Sequence, residues 1–224
     1  MRLFIAGQKA FGAAVLEVAL KRGHEVVGVS SPLHAHATAT TGEPMPDRLR
    51  AAAERAGVRW MLAGTLNAET LPPRVDLIVA AHSHDFIGRK TRLRADLGAV
   101  GYHPSLLPVH RGRDAIRWAL HMGDRITGGS IYRLTDNIDA GAVIAQEHVF
   151  IRQGDTAEDL WRRDLFPLGV RLFDRVLRDG WRVEDEVPQD ETLATWEPSW
   201  DRAPLRRPDL LLLGDGRVAA GACR

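Results

Sequence analysis

Five short apolar segments, at residues 2–6, 25–30, 58–61, 76–81 and 97–103, constrain the chain more than any other feature. Each is too short for a core helix, and the clearest of them, 76–81, reads as a strand buried on both faces of a parallel sheet. Helical spacing fills the gaps between them. Ala14, Leu16, Val18, Ala19 and Leu20 recur on one side of a helix that Gly23 closes. Asp47 stands where an N-cap belongs before a helix over 48–56, and a polar helical stretch covers 89–95. Strands alternating with helices at this length predict an α/β fold, a doubly wound and mostly parallel sheet. Residues 31–46, rich in Pro, Gly, Ser and Thr, predict a loop without a core face, placed to cover a site.

After residue 103 the pattern changes. Residues 115–122 predict a short helix, and 128–134 and 142–151 predict two strands around a turn at Asp139-Ala140-Gly141. A long helix follows over 155–179, with a kink expected at Pro167. We divide the chain into a main domain, 1–188, and a tail, 189–224. The tail is expected to pack on the domain or on a partner subunit, with 210–218 spaced for a small hairpin. Its Trp-bearing surface is a candidate homodimer contact.

Composition narrows the partners. The 30 Lys and Arg against 29 Asp and Glu leave a net charge of +1, with no electrostatic footprint for nucleic acid or an anionic membrane. No apolar run approaches the roughly 20 residues that span a bilayer. The single Cys223 has no partner for an internal bridge, and the start carries no basic-then-apolar leader, so a cytoplasmic protein is expected.

In an open parallel sheet, ligands bind at the carboxyl ends of strands. That rule selects residues 7–12, 82–85, 103–112 and 137–141. The segment Tyr102-His103-Pro104-Ser105-Leu106-Leu107-Pro108, with Arg111-Gly112 after it, stands out: a titratable imidazole at a strand end precedes an apolar loop stiffened by two prolines. His82-Ser83-His84 would place two imidazoles on one face of a continued strand. Such pairs are common and zinc sites show more ligands at defined spacing, so no metal is expected. Gly7 to Gly12 matches neither the dinucleotide fingerprint nor a phosphate-binding loop.

The ordered set His103, Ser105-Leu106-Leu107-Pro108, Arg111-Gly112, Thr127-Gly128-Gly129-Ser130 and Asp139-Ala140-Gly141 resembles the folate-dependent formyltransferases. These include methionyl-tRNA, glycinamide ribonucleotide and aminosugar N-formyltransferases. The resemblance covers roughly the first 180 residues and implies a Rossmann-like catalytic domain with 10-formyltetrahydrofolate as cosubstrate. It also implies His103 and Asp139 as the catalytic pair. Phe86, Ile87, Ser105, Leu106, Leu107, Pro108 and Ile138 would bind the folate, and Arg111 and Gly112 the substrate.

One position departs from the pattern. The family has a catalytic Asn two residues before the His, where this chain has Gly101. Losing one oxyanion donor costs about a hundred- to a thousandfold in rate, so a substitute donor is expected. The candidates are His84, His82, Asn137 and Tyr102, of which Tyr102 should point to the opposite face of its strand. The implied function is formyl transfer to a small-molecule amine, since the length leaves no room for a tRNA-gripping domain and the phosphate cradle of the purine-pathway members is missing. The alternatives are 10-formyltetrahydrofolate hydrolysis or another altered one-carbon reaction, and a catalytically weak folate-binding protein.

Overall fold

The computed structural model describes residues 1–38, 44–83 and 85–200. In chain order the elements are β1 (Arg2–Gly7), α1 (Lys9–Lys21), β2 (Glu25–Ser31), β3 (His34–Thr38), β4 (Pro44–Pro46), α2 (Arg48–Arg55), β5 (Trp60–Leu62) and β6 (Leu77–Ala81). There follow α3 (Arg89–Arg92), β7 (Ala99–His103), β8 (Arg111–Gly112), α4 (Ala115–Met122), β9 (Ile126–Arg133), β10 (Val143–Phe150), α5 (Ala157–Leu160), α6 (Phe166–Asp179) and β11 (Trp196–Glu197).

Seven strands form the main sheet in the order β10-β9-β7-β6-β1-β2-β5. The five from β7 to β5 run parallel, and β9 and β10 complete the sheet antiparallel, so the doubly wound, mostly parallel reading holds. One face carries the larger core, where Leu3, Ile5, Val79, Val100 and Ile131 meet Phe11, Leu16, Leu172 and Phe173 from α1 and α6. The other carries a smaller cluster in which Phe4, Ile78 and Ala99 meet Leu66, Leu71 and Ile87. Strands buried on both faces explain why 76–81 reads as an unbroken apolar run.

Asp47 caps α2 as expected, accepting from the Leu49 amide at 2.9 Å; it also accepts from the Lys9 amide, tying α2 to the start of α1. Two expectations change. Within 31–46, β3 and β4 pair antiparallel instead of forming an irregular loop. The helix expected over 155–179 is divided: a π-helical turn, Trp161–Leu165, separates α5 from α6, and Pro167 sits at the start of α6. Proline has no N–H to donate backwards, so the disruption falls in the turn before it.

The expected boundary at 188 falls inside a hydrogen-bonded network. β11 pairs with β8, the Trp118 indole donates to the Pro198 carbonyl at 2.9 Å, and Trp200 packs on Trp118 and His121. Residues 189–200 thus pack on the domain; the hairpin expected at 210–218 and Cys223 lie outside the described residues. Among the described residues no helix is long and apolar enough to cross a membrane.

Candidate active site

β7 delivers His103 to the carboxyl edge of the sheet, where its side chain is 8% exposed. Its Nε2 lies 2.6 Å from the His110 carbonyl oxygen. A carbonyl can only accept, so Nε2 carries a proton and Nδ1 is the nitrogen left for chemistry. Nδ1 lies 3.5 Å from Asp139 Oδ2, close enough for an ionic interaction and long for a hydrogen bond.

Asp139 occupies the turn between β9 and β10 with φ of +51°, in the left-handed region that Gly, Asn and Asp adopt more readily than other residues. Its neighbours hold it there. Asp139 Oδ2 accepts from the Gly112 amide at 2.7 Å and Oδ1 from the Tyr132 hydroxyl at 2.5 Å. The Gln189 amide donates to the carbonyls of Asp139 and Gly141 at 2.8 and 2.6 Å. Gly141 is required by space, because a Cβ there would stand 1.8 Å from the Arg133 carbonyl oxygen.

The proline-bounded loop after His103 is pinned from below. The Ser130 hydroxyl donates to the Ser105 carbonyl at 2.7 Å and receives the Leu107 amide, while the Gln146 amide donates to the Leu107 carbonyl at 3.0 Å. Among the residues expected to bind folate, Phe86 and Ile138 are 88% and 62% exposed. Leu106 and Pro108 are half-buried, and Leu107 is buried. Ile87 packs into the smaller core, and the fully buried Ser105 spends its hydroxyl on the Val109 carbonyl. Both serve the scaffold of the loops. A cleft of about 610 Å³ is lined by Arg111, Asn137, Ile138, Thr195 and Trp196, and a second hollow of about 390 Å³ by Leu107, Pro108, Gln146 and Val187.

Arg111 and Gly112, expected to bind substrate, are both hydrogen-bonded within the chain. The Arg111 guanidinium is engaged within the chain, with Gln189 Oε1 at 2.8 and 3.0 Å and both Glu191 oxygens at 2.7 and 2.8 Å, so its donors fix the segment that holds Asp139. Gly112 contributes its backbone N–H to Asp139. Behind His103, His110 is buried between two carboxylates, 2.8 Å from Asp124 Oδ2 and 3.2 Å from Glu197 Oε2, the latter off-line for a hydrogen bond and chiefly ionic. Burial opposes its charged form, but Glu197 and Asp124 outweigh it and hold the His110 pKa above the ordinary value.

The candidate substitutes for the absent Asn are dispersed. Tyr102 points to the helix side, where its hydroxyl donates to the Leu165 carbonyl at 2.8 Å. His82, with φ of +61°, packs its ring edge-on against Trp161, which belongs to the same side. Asn137 lies in the exposed turn before Asp139, and His84 lies outside the described residues. The residue that faces Gly101 is Tyr132, which, like Gln189, belongs to no motif that marks it in the sequence.

Comparison with known proteins agrees with this fold. The sequence profile of the formyl transferase family, "Formyl transferase", matches residues 1–167. The chain is 33% identical over 210 residues to mouse mitochondrial 10-formyltetrahydrofolate dehydrogenase, a match covering 88% of this chain and 22% of that protein. It is 28% identical over 219 residues to Thermotoga maritima methionyl-tRNA formyltransferase, covering 95% and 67%. The chain thus spans about a fifth of the dehydrogenases it matches. Among solved structures, the Helicobacter canadensis N-formyltransferase in complex with folinic acid and dTDP-3-aminofucose superposes with a TM-score of 0.68 at 18% identity, covering 87% of this chain and 69% of that one. Glycinamide ribonucleotide transformylase 1 from Symbiobacterium toebii gives 0.63 at 23%, covering 85% and 94%. The sheet order, the pinned loop after His103 and the profile match over three quarters of the chain lead to one assignment: this protein belongs to the formyl transferase family.

Proposed function

We propose that the chain transfers a formyl group from 10-formyltetrahydrofolate to a small amine, with His103 and Asp139 handling the protons. The observation that carries this reading is the facing of His103 Nδ1 and the Asp139 carboxylate across 3.5 Å at the sheet edge. With Nε2–H committed to a carbonyl, a proton on Nδ1 makes the ring an imidazolium facing the Asp139 carboxylate. The spacing is too long for Asp139 to hold that proton in a tight hydrogen bond, so Nδ1–H remains available to an oxygen gaining charge. Asp139 in turn accepts the proton an attacking amine must lose.

The residues suit a flat, partly apolar cosubstrate. Phe86 and Ile138 expose large apolar surfaces beside the carboxyl ends of the strands, and Leu106 and Leu107 sit on a loop whose backbone is fixed by Ser130 and Gln146. The folate would supply an activated formyl carbon: the amine adds to it, its oxygen gains charge, and the bond to the folate nitrogen breaks on collapse as that nitrogen takes up the proton the amine gave up; the chain's residues orient the reactants and move the protons.

Hydrolysis is the second reading, supported by Gly101, which places no side chain beside His103, and by the 33% identity to a 10-formyltetrahydrofolate dehydrogenase. Water then replaces the amine and formate is the product. Incubating the protein with 10-formyltetrahydrofolate alone and with a panel of small amines separates the two. Tetrahydrofolate released only with an amine establishes transfer, release without one establishes hydrolysis, and no release in either refutes both.

A further inference from the structure

Gly101 and Tyr132 oppose each other across the antiparallel β7–β9 pair, two residues from His103. A Cβ on Gly101 would stand 3.4 Å from Tyr132 Cε1 and 3.6 Å from Cζ and the hydroxyl oxygen. The phenol therefore fills the space into which any longer side chain at 101 would grow. The Tyr132 ring stands edge-on to His103, with centroids 6.4 Å apart and planes at 83°. Its hydroxyl reaches Asp139 Oδ1 at 2.5 Å, while Oδ2 holds the Gly112 amide and faces His103.

We propose that Tyr132 is a positioning residue of this site: from β9 it supplies the side-chain hydrogen bond that a glycine at 101 cannot, fixing the Asp139 carboxylate against His103. The proposal rests on the reading of His103 and Asp139 as the proton-handling pair. A buried phenol needs some partner, and a backbone carbonyl suffices for Tyr102. Tyr132 instead spends its donor on the carboxylate of the site, in room that a side chain longer than a methyl group at 101 would take. Burial first, and then the charge and hydrogen bond of Asp139, push the phenol pKa well above its ordinary value, so the hydroxyl keeps its proton and acts as a constant donor.

Tyr132→Phe removes the hydroxyl and keeps the ring. Two measurements read the result: kcat and KM for 10-formyltetrahydrofolate across pH, and the Asp139 carboxyl titration by 13C NMR, assigned with Asp139→Asn and followed together with His103. The second needs no turnover. The expected outcome is a fall in kcat of about 10- to 100-fold with KM changed less than about twofold. Relative to the unaltered protein, the acid limb and the Asp139 titration should both move to higher pH, because the ionised carboxylate has lost a donor. Gly101→Asn added to Tyr132→Leu should recover about fivefold or more of the kcat lost by Tyr132→Leu alone, as the amide enters the vacated space. An unchanged kcat in Tyr132→Phe overturns the proposal, as does a fall in kcat with the Asp139 titration unmoved, which marks a packing role only. A failed recovery overturns the shared-space claim. If the unaltered protein releases no tetrahydrofolate under any condition, the reaction reading fails, and the NMR titration still decides whether Tyr132 holds Asp139.

Discussion

His103 commits one ring nitrogen to a backbone carbonyl and turns the other toward Asp139, whose two oxygens are each held by a donor. Asp139 accepts from two donors, Tyr132 on one oxygen and Gly112 on the other. Asparagine offers one acceptor and must turn its N–H₂ toward the other donor, so Asp139→Asn loses more than a charge. We expect kcat to fall by about 10²- to 10⁴-fold for Asp139→Asn and for His103→Ala, measured as tetrahydrofolate release, with melting temperature largely kept in the His103 variant. Gly141→Ala fails differently. Its Cβ would overlap the Arg133 carbonyl, so the turn must move, and unfolding in denaturant should show a loss of at least ~2 kcal/mol. At Gly101 a methyl group makes only ordinary contacts, so Gly101→Ala should leave stability within about 0.5 kcal/mol, a contrast that checks the packing directly.

At the scale of elements, β11 on β8 is locked by charge as well as by backbone pairing. His110, on the residue before β8, faces Glu197 from β11 and Asp124 from the loop after α4. Because the folded His110 pKa is raised, this stabilisation is fully present below the unfolded value of about 6.5 and is lost as pH rises through the folded value. Glu197→Gln should therefore cost about 1–2 kcal/mol near pH 6 and progressively less toward about pH 9, read from denaturant unfolding at each pH. These elements also show what a sequence discloses. The parallel strands are legible because burial on both faces leaves continuous apolar runs, and Asp47 is legible because capping is local. His103 and Asp139 stand out through an ordered motif. Tyr132 does not, because its meaning depends on which residue lies across the β7–β9 ladder, a register that no local spacing reveals. Gln189 is hidden for the same reason: its partners, Asp139 and Gly141, lie 50 and 48 positions away. The β3–β4 pair is missed because its composition is that of a turn-rich loop.

Across the whole molecule, the family profile and the folded unit do not end together. The profile stops at residue 167, but α6 runs to Asp179 and buries Leu168, Leu172, Phe173, Val176 and Leu177 in the larger core. At about 1.5–3 kcal/mol for each buried side chain, these five contribute on the order of 10 kcal/mol, comparable to the net stability of a domain. A chain cut at 167 should show no cooperative melt by circular dichroism. The links that hold the site reach further still, since Thr195 bonds to His110 and Arg111, and Gln189 and Glu191 fix Arg111. In a chain emerging from the ribosome, the strands of the parallel sheet are available well before residue 189 is made. The turn that carries Asp139 gains its Gln189 hydrogen bonds only when that later segment docks. On the proposed reading of His103 and Asp139, a chain truncated just before residue 189 would therefore keep its sheet and lose the clasp that steadies its proton acceptor.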